Sequence, residues 1–455
     1  MVGIWEVVRR SKHGPIMREE DFDLKRLVPK AREMVKKYDI KIDRDAPVPS
    51  DDAMADRLFQ AGMELFLEVG AFVIENNRVI EFTQAELNEA LEFAPSEVHV
   101  GEGRDARVIK QRKIEDPSRP ILWTTYATWA VSQDVYYPMV EAYLSDPLCD
   151  VINAPTLSVV DGVEIGVGDA TEYYGASRIA QMHREARRRV GRPGMPVLNQ
   201  TPCGVEAIGM LAAARHLNPT DGYYVAPVSE LRLDPDRLTK AAFLQDWNAN
   251  IGLLFSVILG GMAGGPETSA VVNVAYWFLG ALTSKTQYFV SFPLNMMGVN
   301  STHRDTLWTI NISGQAIFRN SNFVSFTQLF TRHGPFTKLC IYESTAWALG
   351  ALASGFQPSY IGFAGGGKLN RANPLDSHLI AEVCLGVAGM SREKANELCL
   401  KFNEKYEDKL LPDQDLGKTF PELYDLETRQ PLPETVDHYK RMKDELASEG
   451  IPFVT

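Results

Sequence analysis

The chain has 455 residues, of which 45% are hydrophobic and 23% charged, and its formal net charge is −12 at pH 7. This composition is typical of a globular protein, and the negative charge disfavours binding to nucleic acid. The longest apolar runs are too short or too interrupted to cross a bilayer, and no secretion signal is predicted. Five widely spaced cysteines without a C-x-x-C motif indicate a reducing cytoplasm and argue against a disulfide framework or a thiolate zinc site.

The first 120 residues predict a mixed helical and hairpin section. Residues 21–38 and 51–69 have amphipathic helical patterns, and residues 71–75 and 79–82 read as the two strands of a hairpin. Thr83 and Glu86 have the spacing of a capping box at the start of the next helix. We expect this section, residues 1–120, to close one end of the following domain and to contribute to oligomer contacts.

From about residue 120 onward, short apolar segments alternate with amphipathic helical ones. The predicted strands are rich in Val, Ile, Phe and Tyr, and they are residues 121–126, 151–159, 195–200, 223–228, 255–261, 287–294, 324–330 and 360–366. Near-continuous apolar strands separated by helices indicate a parallel sheet covered by helices. The pattern predicts an α/β protein with a (β/α)8 TIM barrel over residues 121–390, followed by a helical carboxyl-terminal extension over residues 391–455. A doubly wound open sheet is the structural alternative.

In barrels of this kind the active site lies at the carboxyl ends of the strands. The residues at these ends are mostly aromatic or amide-bearing, and they include Tyr126, Asn199, Tyr224, Gln328, Phe330, Arg332 and His333. His333 is either a proton donor or a structural histidine, and Arg332 either binds a carboxylate or is a solvated arginine of the rim. The aromatic residues form either a substrate wall or part of the core. Compact metal motifs are absent, although zinc ligands on distant strands remain possible.

Two glycine-rich stretches follow predicted strands, Gly260-Gly261-x-x-Gly264-Gly265 and Gly365-Gly366-Gly367. Exposed backbone N–H groups at a helix start attract phosphate, but neither stretch has the complete pattern of a phosphate-binding loop. The alternative is a close approach of two backbones, or room for a large flat cofactor carried by a partner.

Several short motifs, taken in order, resemble the archaeal monomethylamine methyltransferases. They are Phe59-x-Ala61-Gly62-x-Glu64, Gly101-x-Gly103-Arg104-Asp105-Ala106, Gly191-Arg192-Pro193-Gly194-Met195, Gly260-Gly261-x-Ala263-Gly264-Gly265, Gly334-Pro335-x-Thr337, and Gly417-Lys418-Thr419-Phe420 leading to Tyr424-Asp425. The resemblance covers nearly the whole chain and implies a (β/α)8 barrel. It also implies a cytoplasmic homo-oligomer that moves a methyl group from a small donor to Co(I) of a separate corrinoid protein, with no tightly bound cofactor of its own.

The same resemblance implies an altered pocket. Leu198 falls where the family carries pyrrolysine, an electrophilic imine that holds the amine substrate. Gln328 matches a family glutamine, whereas Phe330 replaces a tyrosine and Tyr224 and Leu254 replace glutamates. Apolar and aromatic groups in these places predict a donor that is larger and flatter than methylamine.

The donor predicted from this pocket is a methoxylated aromatic acid. Its ring would pack on Leu198, Leu254 and Phe330, while Arg332 would pair with its carboxylate. The leaving phenolate needs a proton, for which the catalytic candidates are Tyr224, Gln328 and His333. The predicted substrate-binding set is completed by Asn199 and Tyr126, and the rim that faces the corrinoid is predicted at Gly260, Gly261, Gly365 and Gly366.

Two other functions remain open from the sequence. In the first, the donor is an N-methyl or quaternary amine, since aromatic residues hold such cations by cation–π attraction. In a different class, the chain is a catalytically idle homologue that keeps only the surface for the corrinoid protein.

Overall fold

The computed structural model describes residues 2–125, 130–198, 206–359, 368–411 and 413–453. The amino-terminal section contains five α-helices and two hairpins: α1 Ile4–His13, α2 Glu19–Asp21, α3 Val28–Lys37, α4 Asp52–Val69, β1 Ala71–Val73, β2 Arg78–Ile80, α5 Gln84–Glu92, β3 Glu97–Val100 and β4 Arg107–Lys110. A π-helical turn, Phe22–Leu27, leads into α3, and a 3₁₀ turn, Gly103–Asp105, joins β3 to β4. The capping box predicted at Thr83 and Glu86 is confirmed, since both of its reciprocal hydrogen bonds are present.

Strands and helices then alternate through the centre of the chain. They are α6 Gln133–Leu144, β5 Val159–Val160, β6 Val163–Glu164, α7 Ala170–Arg189, α8 Ala207–Ala214, β7 Gly222–Tyr224, β8 Arg232–Leu233, α9 Pro235–Asp246, β9 Asn250–Phe255, β10 Ile258–Leu259, α10 Pro266–Thr283, β11 Tyr288–Ser291, β12 Leu294–Asn295, α11 Arg304–Asn320, β13 Val324–Gln328, α12 Lys338–Ala353, β14 Gln357–Ser359 and α13 Pro374–Val387. The carboxyl-terminal part has α14 Arg392–Tyr406, a 3₁₀ turn Glu407–Lys409, α15 Phe420–Leu423 and α16 Pro433–Ser448. In the described part of the chain, no helix is long and apolar enough to span a membrane.

The centre of the fold is a parallel sheet with the strand order β14-β13-β11-β9-β7. Single contacts continue this order toward the amino terminus. Gly222 N donates to Val197 O at 2.8 Å, and parallel bridges join Ile152 to Val197 and Trp123 to Val151. The described parts of the predicted strand segments therefore lie side by side in chain order, and the α/β class with a parallel sheet is confirmed.

Closure of the sheet into a barrel would require pairing between its first and last segments. Among the described residues, Ile121 N donates to the side-chain oxygen of Gln357 at 2.8 Å, and Gln357 Nε2 donates to Lys110 O at 2.9 Å. The described ranges contain no strand ladder between these segments, so the closed (β/α)8 barrel remains a prediction.

Several predicted strands have different bounds in the structure. The segment predicted at 255–261 begins earlier, in β9, where Asn250 Nδ2 donates to His99 O at 2.9 Å and Ile251 N donates to Gln287 Oε1 at 2.6 Å. The segment 151–159 leaves the sheet after its second residue and ends in the separate hairpin β5-β6. The segment 360–366 lies outside the described residues, and β14 precedes it. Apolar patterning misplaced β9 because polar side chains fix where that strand starts.

The hairpin β3-β4 covers the amino ends of the central strands. Gly101 N donates to Thr220 O at 3.0 Å, and Glu102 N donates to Gly194 O at 2.8 Å. A Cβ at Gly194 would overlap the carbonyl oxygen of Glu102, so only glycine allows this approach. Two of the motifs that carry the resemblance, 101–106 and 191–195, are thus packed against each other and away from the carboxyl ends of the strands.

A second pair of motifs forms a similar backbone contact. Gly334 N donates to Asp415 O at 2.7 Å, and Lys418 N donates to Pro335 O at 3.2 Å. A Cβ at Gly334 would overlap the carbonyl oxygen of Leu416. The motifs 334–337 and 417–420 therefore tie the loop after β13 to the segment between α14 and α15.

Candidate functional site

The register of the sheet arranges the residues of one face in layers. Tyr224 pairs with Gly252, Gly252 with Tyr288, and Tyr288 with Val324. Register partners in adjacent parallel strands point to the same face, and residues two positions further along a strand return to it. The next layer toward the carboxyl ends is Leu254, Val290 and Phe326, and the last contains Gln328 and Ser359.

A row of aromatic rings fills the deeper part of this face. The ring centroids of Tyr224 and Tyr288 are 6.1 Å apart, those of Tyr288 and Phe326 are 6.2 Å apart, and those of Phe326 and Trp123 are 5.4 Å apart. All four side chains are buried. Since Trp123 forms the first bridge of the sheet with Val151 and Phe326 lies on β13, this row connects distant strands across one apolar interior.

Leu198 lies in the same deep layer. Its side chain is fully buried, and its Cδ2 atom is 2.6 Å from the position a Cβ would take at Gly222, so that strand must have glycine there. Leu198 and Tyr224 belong to the same cluster of buried side chains. Leu254 is only partly buried and lies one layer nearer the carboxyl ends.

Gln328 and Phe330 stand at the carboxyl end of β13. Gln328 is the last residue of the strand and is buried, whereas Phe330 is partly exposed. The backbone of Phe330 is fixed by the neighbouring loop, because Phe330 N donates to Ser301 Oγ at 2.7 Å and Ser301 N donates to Phe330 O at 2.8 Å. The loops after β12 and β13 are thus joined at the level of the predicted site.

His333 is buried and is held by Glu343 of α12. His333 Nδ1 lies 2.9 Å from Glu343 Oε1, and the backbone N of His333 donates to the same oxygen at 3.0 Å. The other oxygen, Oε2, accepts from Arg332 N at 2.7 Å and from Thr302 Oγ1 at 2.6 Å. This arrangement favours the structural interpretation of His333 over that of a free proton donor. Sequence reasoning missed Glu343, whose only signal is a single carboxylate within the otherwise apolar face of α12.

Arg332 lies beside the same loops and is half-buried. Its Nη1 atom donates to Gly298 O at 3.3 Å, and its carbonyl oxygen accepts from Gln414 Nε2 at 2.7 Å. Within the residues the structure describes, no carboxylate forms an ion pair with its guanidinium, and its buried Nε has no hydrogen-bond partner. The guanidinium therefore keeps donor capacity for a ligand.

The glycine-rich loop after β10 is a hydrogen-bonded turn. Gly260 N donates to Gly264 O at 2.8 Å, Gly261 N to Ile258 O at 2.9 Å, and Gly264 N to Gly261 O at 3.0 Å. These three N–H groups are therefore already bonded within the turn and are not available to a phosphate. Gly260 has a φ of +87° and is exposed, as the predicted rim requires.

Exposed apolar side chains surround this rim. They belong to the loops after β10 and β12, and they are Met262 (41% exposed), Met296 (53%), Met297 (62%) and Val299 (51%). Among the residues predicted for the site, Tyr126, Asn199, Gly365 and Gly366 lie outside the described residues. No group of three or more His, Cys, Asp or Glu side chains in the described ranges is placed to hold a metal ion.

Comparison with known proteins gives the family. A family model described as "Monomethylamine methyltransferase MtmB" matches residues 2–451. The chain belongs to the monomethylamine methyltransferase family. Monomethylamine methyltransferase MtmB2 of Methanosarcina acetivorans is 28% identical over 450 residues, which are 98% of this chain and 97% of that protein. MtmB3 of Methanosarcina barkeri (strain Fusaro) is 27% identical over 450 residues, with the same coverage.

Solved structures of the family agree in fold. The crystal structure of the Methanosarcina barkeri monomethylamine methyltransferase matches with a TM-score of 0.93 and 26% identity, covering 99% of this chain and 98% of that one. A hydroxylamine complex of MtmB matches with the same values. The family consists of corrinoid-dependent methyltransferases that act with a separate corrinoid protein. The resemblance found in the sequence is therefore confirmed at the level of the family.

Proposed function

We propose that this protein transfers a methyl group from an N-methylated amine, larger than methylamine and best a quaternary one, to Co(I) of a corrinoid protein. The relatives are named for monomethylamine, which supports an amine donor and gives no support to the methyl ether expected from the sequence. The observation that carries the choice of amine is the composition of the sheet. Strands β7, β9, β11, β13 and β14 contain no Asp or Glu, and the face described above is lined by aromatic rings.

A quaternary ammonium group suits this environment. Its positive charge is spread over methyl groups that donate no hydrogen bond, and it is attracted to the faces of Tyr, Phe and Trp. A small primary ammonium would instead need acceptors to satisfy its N–H groups. Leu198 in place of the pyrrolysine expected from the resemblance agrees with this, since a bulky cation packed against aromatic rings needs no electrophile to hold it.

The chemistry of the leaving group supports the same donor. When Co(I) attacks a methyl group of a quaternary amine, its electron pair forms the Co–CH₃ bond and the C–N pair remains on nitrogen, so a neutral amine leaves without a proton. A methyl ether would release a phenolate that needs an acid. Of the acids predicted from the sequence, His333 is bonded to Glu343 and Tyr224 is buried among other rings. Methyl transfer from a quaternary amine therefore needs no proton from these residues.

The second candidate donor is the methoxylated aromatic acid, and Arg332 is the observation that favours it. A half-buried guanidinium without an ion-pair partner among the described residues is suited to a carboxylate. The same arginine would also serve an amine that carries a carboxylate.

The corrinoid partner is expected at the carboxyl ends of the strands. The hairpin β3-β4 covers the opposite ends, so a large flat macrocycle has access from the side of Gly260, Gly261 and the exposed methionines. We also infer that the parallel segments close into the (β/α)8 barrel, because Trp123 and Phe326 meet across the interior.

An anaerobic donor screen tests the proposal. Purified protein is mixed with free cob(I)alamin and with methylamine, several quaternary amines or several methoxybenzoates, and methylation of cobalt is followed by its absorbance change. We expect transfer from at least one quaternary or multiply methylated amine and little from methylamine. Transfer from methoxybenzoates alone would establish the second candidate, and no transfer from any donor, with free or protein-bound corrinoid, would indicate an idle homologue.

A further inference from the structure

Glu343 is a buried carboxylate that neither the motifs nor the family resemblance assigns to the site. It lies on α12, has no exposed surface, and its two oxygens accept four hydrogen bonds from residues of two loops. Each oxygen has two donors at 2.6 to 3.0 Å, which uses its ordinary capacity. A carboxylate buried without such donors would cost several kcal/mol, so these bonds are a condition of its presence here.

The donors of Glu343 show what it organises. Two are the consecutive backbone N–H groups of Arg332 and His333, in the loop after β13. A third is the hydroxyl of Thr302, in the loop after β12. Glu343 therefore fixes the path of one loop and attaches it to the neighbouring loop at the carboxyl ends of two adjacent strands.

Further contacts transmit this arrangement to the candidate site. Ser301, next to Thr302, bonds the backbone of Phe330 through both its N–H and its hydroxyl. The guanidinium of Arg332 reaches Gly298 O in the same loop. Phe330 and Arg332 are thus placed by a network whose central member is the carboxylate of Glu343.

We propose that Glu343 is a positioning residue for methyl transfer: its carboxylate holds the loops after β12 and β13 so that Phe330 and Arg332 face the bound donor. This inference rests on the proposed function, because it assigns Glu343 to the same site. Displacing binding groups by about 1 Å is enough to slow an enzyme about 100-fold. The effect of Glu343 is therefore expected in both KM for the donor and kcat.

Three variants test the proposal in the full-length protein. Glu343→Gln keeps the shape of the side chain but turns an amide nitrogen toward backbone N–H donors. Thr302→Val removes one of the four donors with little change in volume. Glu141→Gln is the matched control, since Glu141 is a buried carboxylate on α6 that pairs with Arg189 at 3.5 Å and Arg429 at 2.5 Å, away from both loops.

The rates are measured with free cob(I)alamin and the amine that the wild-type protein accepts, at a temperature below the Tm of every variant. We expect Glu343→Gln to lower kcat/KM about 100-fold with a raised donor KM. Thr302→Val is expected to lower it about fivefold with little change in Tm. Glu141→Gln is expected to lower Tm and leave the donor KM unchanged.

The split between KM and kcat separates positioning from simple stability. A loss of folded protein lowers the apparent kcat and leaves KM at its wild-type value. Unchanged KM in both Glu343→Gln and Thr302→Val would overturn the inference while the proposed function stands. Failure of the wild-type protein to methylate cobalt from any amine would instead overturn the proposed function, and this role of Glu343 with it.

Discussion

The two ends of the parallel strands are held together in different ways. At the amino ends, the hairpin β3-β4 meets the segment 191–195 through backbone hydrogen bonds and a glycine that admits no side chain. At the carboxyl ends, Gly334 makes one backbone contact of this kind, but the loops after β12 and β13 are joined to each other chiefly through the side chains of Glu343 and Ser301. Backbone contacts of the first kind demand glycine and so leave a recognisable motif, whereas side-chain contacts of the second kind leave a single residue in an ordinary helix or loop.

The most recognisable motif of the chain does not mark the residues that are expected to touch the donor. The stretch 191–195 is among the most recognisable parts of the chain, yet its Arg192 donates to Cys149 O at 3.0 Å and lies 3.4 Å from Asp105 Oδ1, at the closed end of the sheet. The residues expected to touch the donor begin only at Leu198 and continue on other strands. The motif 191–195 therefore reports the family, whereas the residues expected to touch the donor lie elsewhere in the fold.

The largest effect is expected from a substitution at the contact between the hairpin β3-β4 and the segment 191–195. Gly194→Ala would force a Cβ into the carbonyl oxygen of Glu102, and we expect it to lower the free energy of unfolding by about 3 kcal/mol. Gly103→Ala in the same hairpin is the control. Nothing lies within 4 Å of its Cβ position, and only its φ of +57° opposes alanine, at about 1 kcal/mol. Urea unfolding measures both variants, and equal losses would contradict the proposed backbone contact.

A buried carboxyl group near the carboxyl ends of the strands is expected to make the stability of the protein depend on pH. Burial raises the pKa of Glu230, in the loop after β7, to about 7, although a backbone N–H from Ile258 and the nearby Arg232 act in the opposite direction. The folded state therefore keeps a proton that the unfolded chain loses near its ordinary pKa of about 4.5, and stability falls as the pH rises from about 4.5 to 7.

Glu230→Gln should remove this dependence. We expect the free energy of unfolding of the variant, relative to wild type, to be about 2 kcal/mol higher at pH 8 than at pH 4.5. Urea unfolding at the two pH values checks this prediction, with Glu141→Gln measured in parallel. If the stabilities of wild type and Glu230→Gln changed by the same amount between pH 4.5 and pH 8, Glu230 would not be the group responsible.

A smaller effect tests the aromatic row. Phe326→Leu removes a ring that faces the interior, and we expect kcat/KM for a quaternary amine to fall about tenfold through lost cation–π attraction. Phe289→Leu is the matched control, because Phe289 is equally buried on β11 but packs outward against Trp277 and Phe323. If both variants lose activity equally, the ring acts through packing and not by holding the cation.

The smallest effect is expected at the rim. Met297→Glu places a charge on a side chain that is 62% exposed, and we expect KM for the corrinoid protein to rise about fivefold. With free cob(I)alamin the rate should not change. Phe93→Glu, at a residue 59% exposed in the amino-terminal section, is the control. A rim variant that slows both reactions would show damage to the site and not to docking.

Much of the fold was predictable because its signals are local. Apolar segments that alternate with amphipathic ones indicate a parallel sheet, and Thr83 with Glu86 marks a helix start through bonds between residues close in sequence. The start of β9 was misplaced because Asn250 is anchored by His99, a residue far away in the chain. For the same reason, the pairing needed to close a barrel lies beyond what the sequence pattern establishes.

The candidate site was predictable in part. Leu198, Tyr224 and Leu254 came from the resemblance, and the structure groups them on one face of the sheet. The role of His333 was left open until its distance to Glu343 was known. Glu343 itself could not be found, since a glutamate on a helix is usually solvated and only the tertiary structure shows that this one is buried.

The sequence by itself determined the family and the α/β class, because these depend on the order and chemistry of residues along the chain. The tertiary structure alone decided the depth of each residue in the interior, the aromatic row from Trp123 to Tyr224, and the network around Glu343. Those features depend on contacts between residues far apart in the chain. The physical reason is that burial and hydrogen bonding depend on which distant residues meet in the folded chain, and no local pattern records those contacts.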